Sequence, residues 1–422
     1  MRRLAVEPGA AGAGTAGAAR ESLANGVTVV VRENPAAPVV ALTLFVGVGS
    51  RDETAETNGV TALLGRVLLK GTRTRSALAL AQAADDAGGA IESRTDQEYA
   101  ELRACGLGRH WLSLIELLHE VATAPAFATE EVDRERETLL AQIRGLEDQP
   151  FQVAGRLLNR SLYGSHPYGL PTSGEPESVA RLSREALIRH FEGFFAPERM
   201  VVAVSGQVSA PDVVREVTRV FGTLEPRGGG RPVPPLPPGP ATPRVTEPRP
   251  TQQVQLLVGF LAPPIGHADY APLKVANALL GAGMSGRLFR TLRDEEGLAY
   301  AVGSFYPTRR ETSRVVVYIG TGPATLSQAE RGIERELARL REEPVPADEL
   351  ARSQAFLTGS FDLDLRTNAR QSFYLGFFEL MGVGHAYVGR YRERLRAVTA
   401  ADVLRVARRY LTGPTVAIVG PA

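Results

Sequence analysis

The polar and apolar positions along the chain repeat one alternation twice: short β-branched runs broken by turn residues, then longer stretches with apolar residues three and four apart. In the first round, Gly26 to Arg32 (GVTVVVR) and Val39 to Val48 (VVALTLFVGV) predict a pair of strands joined by the Asn34 to Pro38 turn. Asn58 to Leu69 predicts a helix with Asn58 as N-cap, because Val60, Leu63, Leu64, Val67 and Leu68 recur at helical spacing. Ser76 to Ala87 reads as a second, Ala-rich helix, and Ala90 to Leu107 as two strands around an Asp96-Gln97 turn. Trp111 to Ala122 and Glu130 to Arg144 are amphipathic helices. A turn-rich passage from Ser161 then leads into a helix at Arg184 to Phe195 and a buried strand at Met200 to Gly206.

Residues 223–250 are dominated by Pro and Gly and predict an extended connector without a core. Beyond it the elements recur: strand Gln253 to Phe260, helix Tyr270 to Leu280, strand Ser313 to Gly320, and helices at Leu326 to Glu342, Ala347 to Phe361 and Asn368 to Gly382. The closing segment from Leu182 (LSREALIRHFEGFFAPERMVVAVSG) parallels that from Val398 (VTAADVLRVARRYLTGPTVAIVG). Their offset of about 215 residues marks a duplicated domain and not a solenoid. The expected organisation is a disordered tail at 1–20, a domain at 21–222, the connector at 223–250 and a second domain at 251–422. Two such α/β halves can enclose a cavity.

Within the second half, Gly281 to Tyr306 (GAGMSGRLFRTLRDEEGLAYAVGSFY) stands out. A glycine run leads into a helix with Leu288, Phe289 and Leu292 on its apolar face. Gly297 suits its end, since glycine takes positive φ without steric cost. Alternation then puts Leu298, Tyr300, Val302 and Tyr306 on one side of a strand. The Arg293 guanidinium and Tyr300 hydroxyl thus flank one helix-to-strand corner, and both could donate to a single carbonyl oxygen. The duplication places a counterpart corner near Gly88 to Arg94.

Composition removes several function classes. A net charge of +1 leaves no electrostatic footprint for nucleic acid, and no apolar window suggests a membrane span. Cys105 is the only cysteine, so intrachain disulfides and thiol metal sites are excluded. Glu7, Pro8 and Gly9 interrupt the start before a secretory apolar region could form, which favours the cytoplasm. A signal sequence removed before this numbering would place the chain in the periplasm instead. Gly281, Gly283 and Gly286 match G-x-G-x-x-G, but a helical segment precedes them where a dinucleotide site needs a strand. No two of the six histidines lie three to five residues apart. A catalytic zinc built by this chain is therefore not expected.

Gly59 to Thr72 (GVTALLGRVLLKGT) resembles the active-site helix of the pitrilysin or insulinase family of zinc peptidases, M16, and most of all its processing-peptidase branch. That family's segment carries an inverted H-x-x-E-H whose histidines hold zinc while the glutamate activates water. Here Ala62, Gly65 and Arg66 stand at those three positions. The family's third ligand, seven residues after another glutamate, aligns with Gln142, and the earlier glutamate with Glu135. The frame, Gly59, Leu64 and Lys70-Gly71-Thr72, is kept. The likeness extends to HPYGLPTSGEPESV at 166–179 and SGRLFRTLRDEEGLAYAVGS at 285–304.

This resemblance implies an α+β fold of two homologous α/β domains, the duplicated LuxS/MPP-like metallohydrolase fold. Each domain would be a mostly antiparallel sheet with helices packed on it, and together they would form a clamshell. It also implies a subunit with no cofactor of its own, paired as a heterodimer with a zinc-binding M16 homologue and acting on peptides. In that branch the subunit without zinc supplies an Arg and a Tyr seven residues apart, the spacing of Arg293 and Tyr300. The glycine run Gly281, Gly283, Gly286 resembles a substrate-handling segment, although a plain loop before the helix is the simpler account. Ala90, Ile91 and Glu92 match a strand that pairs with an extended peptide. The alternative within the family is a degenerate peptidase that serves as a peptide-binding or assembly scaffold, as respiratory-complex core subunits do.

Overall fold

The run VVALTLFV has seven of its eight residues buried, although successive side chains of a strand face opposite ways. Such a strand needs a cover on each face of its sheet. The computed structural model, which describes residues 17–228, 236 and 243–421, shows where the two covers come from.

In chain order the first half forms β1 (Ala18–Ser22), β2 (Thr28–Glu33), β3 (Val39–Val46), α1 (Val60–Val67), α2 (Ala77–Asp86), β4 (Ala90–Thr95), β5 (Ala100–Leu107) and α3 (Trp111–Thr123). It continues with α4 (Thr129–Glu147), α5 (Pro150–Tyr163), α6 (Pro176–Ala180), α7 (Arg184–Phe194), β6 (Met200–Gly206) and α8 (Ala210–Phe221). The second half forms β7 (Arg244–Pro248), β8 (Val254–Ala262), α9 (Tyr270–Gly281), β9 (Ala299–Phe305), β10 (Ser313–Thr321) and α10 (Leu326–Glu342). Then follow α11 (Ala347–Asp364), α12 (Asn368–Leu380), α13 (Tyr387–Arg396), α14 (Ala400–Tyr410) and β11 (Thr415–Gly420).

The strands build two sheets, β1-β2-β6-β3-β5-β4 and β7-β11-β8-β10-β9. Leaving β1 aside, the orders match strand for strand. Each has one parallel pair (β2 with β6, β7 with β11) and antiparallel pairs elsewhere. The duplication legible in the closing segments therefore extends to the whole sheet topology.

Chain contacts divide the described residues into two units: 17–143, 170–228 and Asp364–Gly389 in one, and Arg144–Gly169, 236, 243–363 and 390–421 in the other. Each unit contains one helix drawn from the opposite half of the sequence. In the first, Leu42, Leu44 and Val46 of β3 enter the main core beside α1, α3 and α4. The intervening Thr43 and Phe45 lie under α12, where Thr43 Oγ1 meets Ser372 Oγ at 2.9 Å and the Phe45 ring packs on Phe373. In the second, α5 packs on β8 and β11, with Leu158 clustered against Leu257, Ala417 and Val419.

Several elements depart from the sequence expectation. β2 and β3 do not pair with each other: β6 lies between them, parallel to β2 and antiparallel to β3. Turn signals show where a chain reverses but not whether a later strand is inserted. Strand β1 begins at Ala18, within the stretch expected as tail, and β7 lies within the stretch expected as connector. Residues 1–16, 229–235 and 237–242 of those two stretches lie outside the described residues. Pro248 ends β7, an edge strand, where a missing N–H costs no ladder bond. Helices α5, α6, α8 and α13 lie where the sequence pattern predicts none.

The close approach of α12 yields a prediction. A Cβ on Gly376 would lie 2.7 Å from Phe45 Cδ2 and 3.1 Å from Ala203 Cβ, whereas one on Gly359 of α11 would meet nothing within 4 Å. Alanine favours a helix over glycine by about 1 kcal/mol, and overpacking a tight site costs about 1–3 kcal/mol. Chemical denaturation should show Gly359→Ala raising stability and Gly376→Ala lowering it.

Candidate functional site

Helix α1 starts at Gly59, whose φ of 95° is left-handed. Its first donors, buried and without an intrahelical partner, are taken by a carboxylate: Glu53 accepts from the N–H groups of Gly59 and Thr61, each at 2.8 Å. Asn58 is not the N-cap. Its amide donates instead to Glu53 and to the Pro171 carbonyl, tying the turn-rich passage to the helix. Burial pushes the Glu53 carboxyl up to about 7 against the pull of these donors. Thr61 Oγ1 lies 3.0 Å from His190 Nε2, which docks α1 on α7. Burial, reinforced by Arg199, pushes that imidazole down to about 4.

With Val60, Leu63, Leu64 and Val67 in the core, Ala62, Gly65 and Arg66 are left lining an open pocket of about 380 Å³. Strand β4 forms its wall. At Gly65 the approach is so close that a Cβ would stand 2.7 Å from Thr95 Cγ2. Glu135 and Gln142 lie two turns apart on one face of α4, and Arg66 reaches both. Its guanidinium donates to Glu135 Oε2 at 3.3 Å and to Gln142 Oε1. Lys70 Nζ sits 2.8 Å from Glu135 Oε1.

These residues do not fit a metal ion. The positions of Ala62 and Gly65 offer no donor atom, Arg66 offers only N–H donors, and Gln142 offers a neutral oxygen already bound to Arg66. Among the described residues no three His, Cys, Asp or Glu side chains are grouped to hold one. Protein cations occupy the charge position instead, pairing the nearly buried Glu135 from two sides.

The other constellation is built at the corner between α9 and β9. Gly281 ends α9 where a Cβ would meet Ser304 N at 2.3 Å, Gly283 takes φ of 76°, and a Cβ on Gly286 would lie 3.0 Å from Leu280 O. All three glycines thus have a local steric reason to be glycine. Arg287, 3% exposed, fastens the next segment to α11 through a bidentate pair with Glu349, at 2.7 and 2.8 Å. Residues Phe289–Glu295 form a wide helix whose end bonds from Glu296 N to Thr291 O, and Gly297 follows at φ of 63°. Leu288 and Leu292 are buried, while Phe289 is half-buried and carries Arg293 on its ring.

The Arg293 guanidinium lies 4.5 Å from the Phe289 ring centre and 5.0 Å from that of Tyr300. Neither it nor the Tyr300 hydroxyl has a hydrogen-bond or ion-pair partner among the described residues. Tyr300 is 81% exposed and does not share the buried side of the strand with Leu298, Val302 and Tyr306. A β-bulge explains this. Gly320 pairs with Ala301 and Thr321 with Ala299, so Tyr300 is the extra, unpaired residue and its side chain is re-aimed outward. The counterpart corner exists, with Gly88 at φ of 68° between α2 and β4. Both β4, which carries Ala90, Ile91 and Glu92, and β9 are edge strands.

Sequence reasoning missed Glu53, the Arg287–Glu349 pair and the aromatic cradle of Arg293. Glu53 lies in a polar run without periodicity, and only the cradle left a signal, the four-residue spacing of Phe289 and Arg293.

Residues 28–175 match the family model Insulinase (Peptidase family M16), and residues 181–357 match Peptidase M16 inactive domain. A Bacillus subtilis protein named uncharacterized zinc protease YmxG is 30% identical over 96% of this chain and 98% of its own length. An uncharacterized zinc protease of Streptomyces coelicolor is 31% identical over 95% of this chain and 89% of its own. The crystal structure of a peptidase M16 inactive domain from Pseudomonas fluorescens superposes with a TM-score of 0.90 at 22% identity, covering 96% of this chain and 98% of that one. A protease from Helicobacter pylori gives 0.89 at 19%, covering 96% and 99%. The two structures share the fold.

Two outcomes follow from the α1 site. Arg66→His restores a single imidazole, so the variant should still hold no stoichiometric zinc after dialysis and metal analysis. For His190, the unfolded chain takes up a proton near pH 6.5 and the folded chain only near pH 4, so the unfolded state binds more protons between these values. Stability therefore falls as pH drops through that window, by about 3 kcal/mol from this group. Relative to His190→Gln, the wild type should lose that amount in denaturation midpoints measured from pH 7 to pH 4.

Proposed function

The chain belongs to peptidase family M16 yet shows, among the described residues, no group fit to hold a metal, and from that conjunction we propose that it is the non-zinc subunit of a heterodimeric peptidase. Its partner in this reading is a homologue with an intact zinc motif, and the substrate is a peptide or an unfolded segment. The relatives are named zinc proteases, and the reading assigns the zinc chemistry to the partner.

The observation that carries the proposal is the Arg293 and Tyr300 pair, held close together with their donors unpaired among the described residues. A peptide carbonyl gains negative charge on its oxygen as it becomes tetrahedral, so donors aimed there stabilise the transition state more than the ground state. Arg293 contributes charge and N–H groups, and Tyr300 an O–H. Packing between Phe289 and Tyr300 restrains the guanidinium beforehand, so little freedom remains to be lost on binding. Strand β4, with Ala90, Ile91 and Glu92, offers an open edge on which an extended peptide could add as a further strand. No helix among the described residues is long and apolar enough to cross a membrane.

A scaffold role is the second reading, favoured by the pairing of Glu135 with Arg66 and Lys70, which stabilises a non-catalytic centre. Kinetics separate the two. In the complex co-purified with its zinc-bearing partner, Tyr300→Phe should lower kcat at least about tenfold, within the range for losing an oxyanion donor, while assembly and melting temperature are unchanged. Turnover equal to wild type would leave the scaffold reading standing.

A further inference from the structure

The pocket beside α1 has unused binding capacity that the proposed role of Arg293 and Tyr300 does not draw on. Four hydroxyls line it, from Ser93, Thr95, Thr172 and Ser173, and none has a hydrogen-bond partner among the described residues. The Ser93 Oγ is moreover buried. Arg66 spends one N–H on Glu135 and one on Gln142, out of five donors. The Gln142 amide nitrogen likewise has no hydrogen-bond partner among the described residues. Arg94 lines the same pocket, and its ion pair is a 3.5 Å contact with Glu92 in which both side chains are more than half exposed.

The charges sum to an anion site. The pocket's lining residues include two cations, Arg66 and Arg94, and no carboxylate, and the Glu135 that Arg66 reaches is also paired with Lys70. On the strand side Glu101, which stands opposite Arg94 in the ladder, is paired with Arg103, and the weak exposed pair of Glu92 with Arg94 yields readily to a better-placed competitor. A centre that in a zinc peptidase would polarise a carbonyl is here a set of fixed donors around a guanidinium. Such a set recognises a carboxylate, through charge-assisted hydrogen bonds to Arg and neutral ones from hydroxyls. The open edge of β4 runs along the pocket wall, so a strand added there would carry alternate side chains past Arg94.

We propose that this pocket is a carboxylate receptor, which takes an acidic side chain or the terminal carboxylate of a peptide lying along β4. The proposal rests on the reading of the chain as a peptide-handling subunit. It is tested on the isolated chain by binding alone, so its outcome is independent of the turnover of any complex.

Fluorescence anisotropy with short labelled peptides supplies the test. One pair has Asp or Asn at its centre and an amidated end, and the other has a neutral sequence ending in a free acid or an amide. At least one acidic member should bind about tenfold more tightly than its neutral counterpart, as a charge-assisted contact allows, and whichever pair discriminates identifies the source of the carboxylate. Arg66→Gln and Arg94→Gln should each reduce that ratio towards one. Arg94 is exposed, so its variant keeps the test available if Arg66→Gln does not fold. Equal binding within both pairs, no binding of any peptide, or discrimination that survives Arg94→Gln and every folded Arg66 variant would overturn the proposal.

Discussion

Both sheets are apolar on two faces, and that constraint governs the rest of the molecule. A strand such as β3 cannot leave Phe45 or its neighbours in water, and the helices of its own half cover one face only. The second cover is α12 in one unit and α5 in the other, each supplied by the opposite half of the chain. Close packing at Gly376, and at Gly259 where a Cβ would stand 2.9 Å from Leu158 Cδ1, brings helix and strand near enough to exclude water. With both faces covered, the exposed functional groups are found at the sheet edges.

The two candidate constellations occupy equivalent places in the duplicated topology. Each adjoins an edge strand entered through a left-handed glycine, Gly88 before β4 and Gly297 before β9. They differ in how their polar groups are satisfied. At β4, Arg66 and Lys70 neutralise a nearly buried carboxylate, which would be costly to leave unpaired. At β9, Arg293 has aromatic faces for neighbours and no ion-pair partner among the described residues, so its donors remain available.

Much of this was legible from residue pattern. The duplication, the central strands, the helix carrying Ala62, Gly65 and Arg66, and the proximity of Arg293 to Tyr300 all follow from local periodicity and spacing. The features that escaped depend on pairing between distant segments. The insertion of β6 between β2 and β3 is a long-range pairing with no local mark. The outward turn of Tyr300 comes from a bulge in which its strand runs one residue ahead of β10, and simple alternation puts that side chain on the wrong face. Asn58 has the chemistry of a cap, but Glu53 reaches the helix start first from five residues upstream.

The interchange of helices also bears on how the polypeptide is made. By the time β6 leaves the ribosome every strand of the first sheet is available, yet one of its faces stays bare until Asn368–Leu380 has been synthesised. At translation speeds of about 5–20 residues per second, that interval lasts on the order of ten seconds or more. During it Phe45 and the residues around it form a sticky surface on a nascent chain, of the kind that recruits chaperones. Maturation of the amino-terminal half is thereby tied to near-completion of the whole polypeptide.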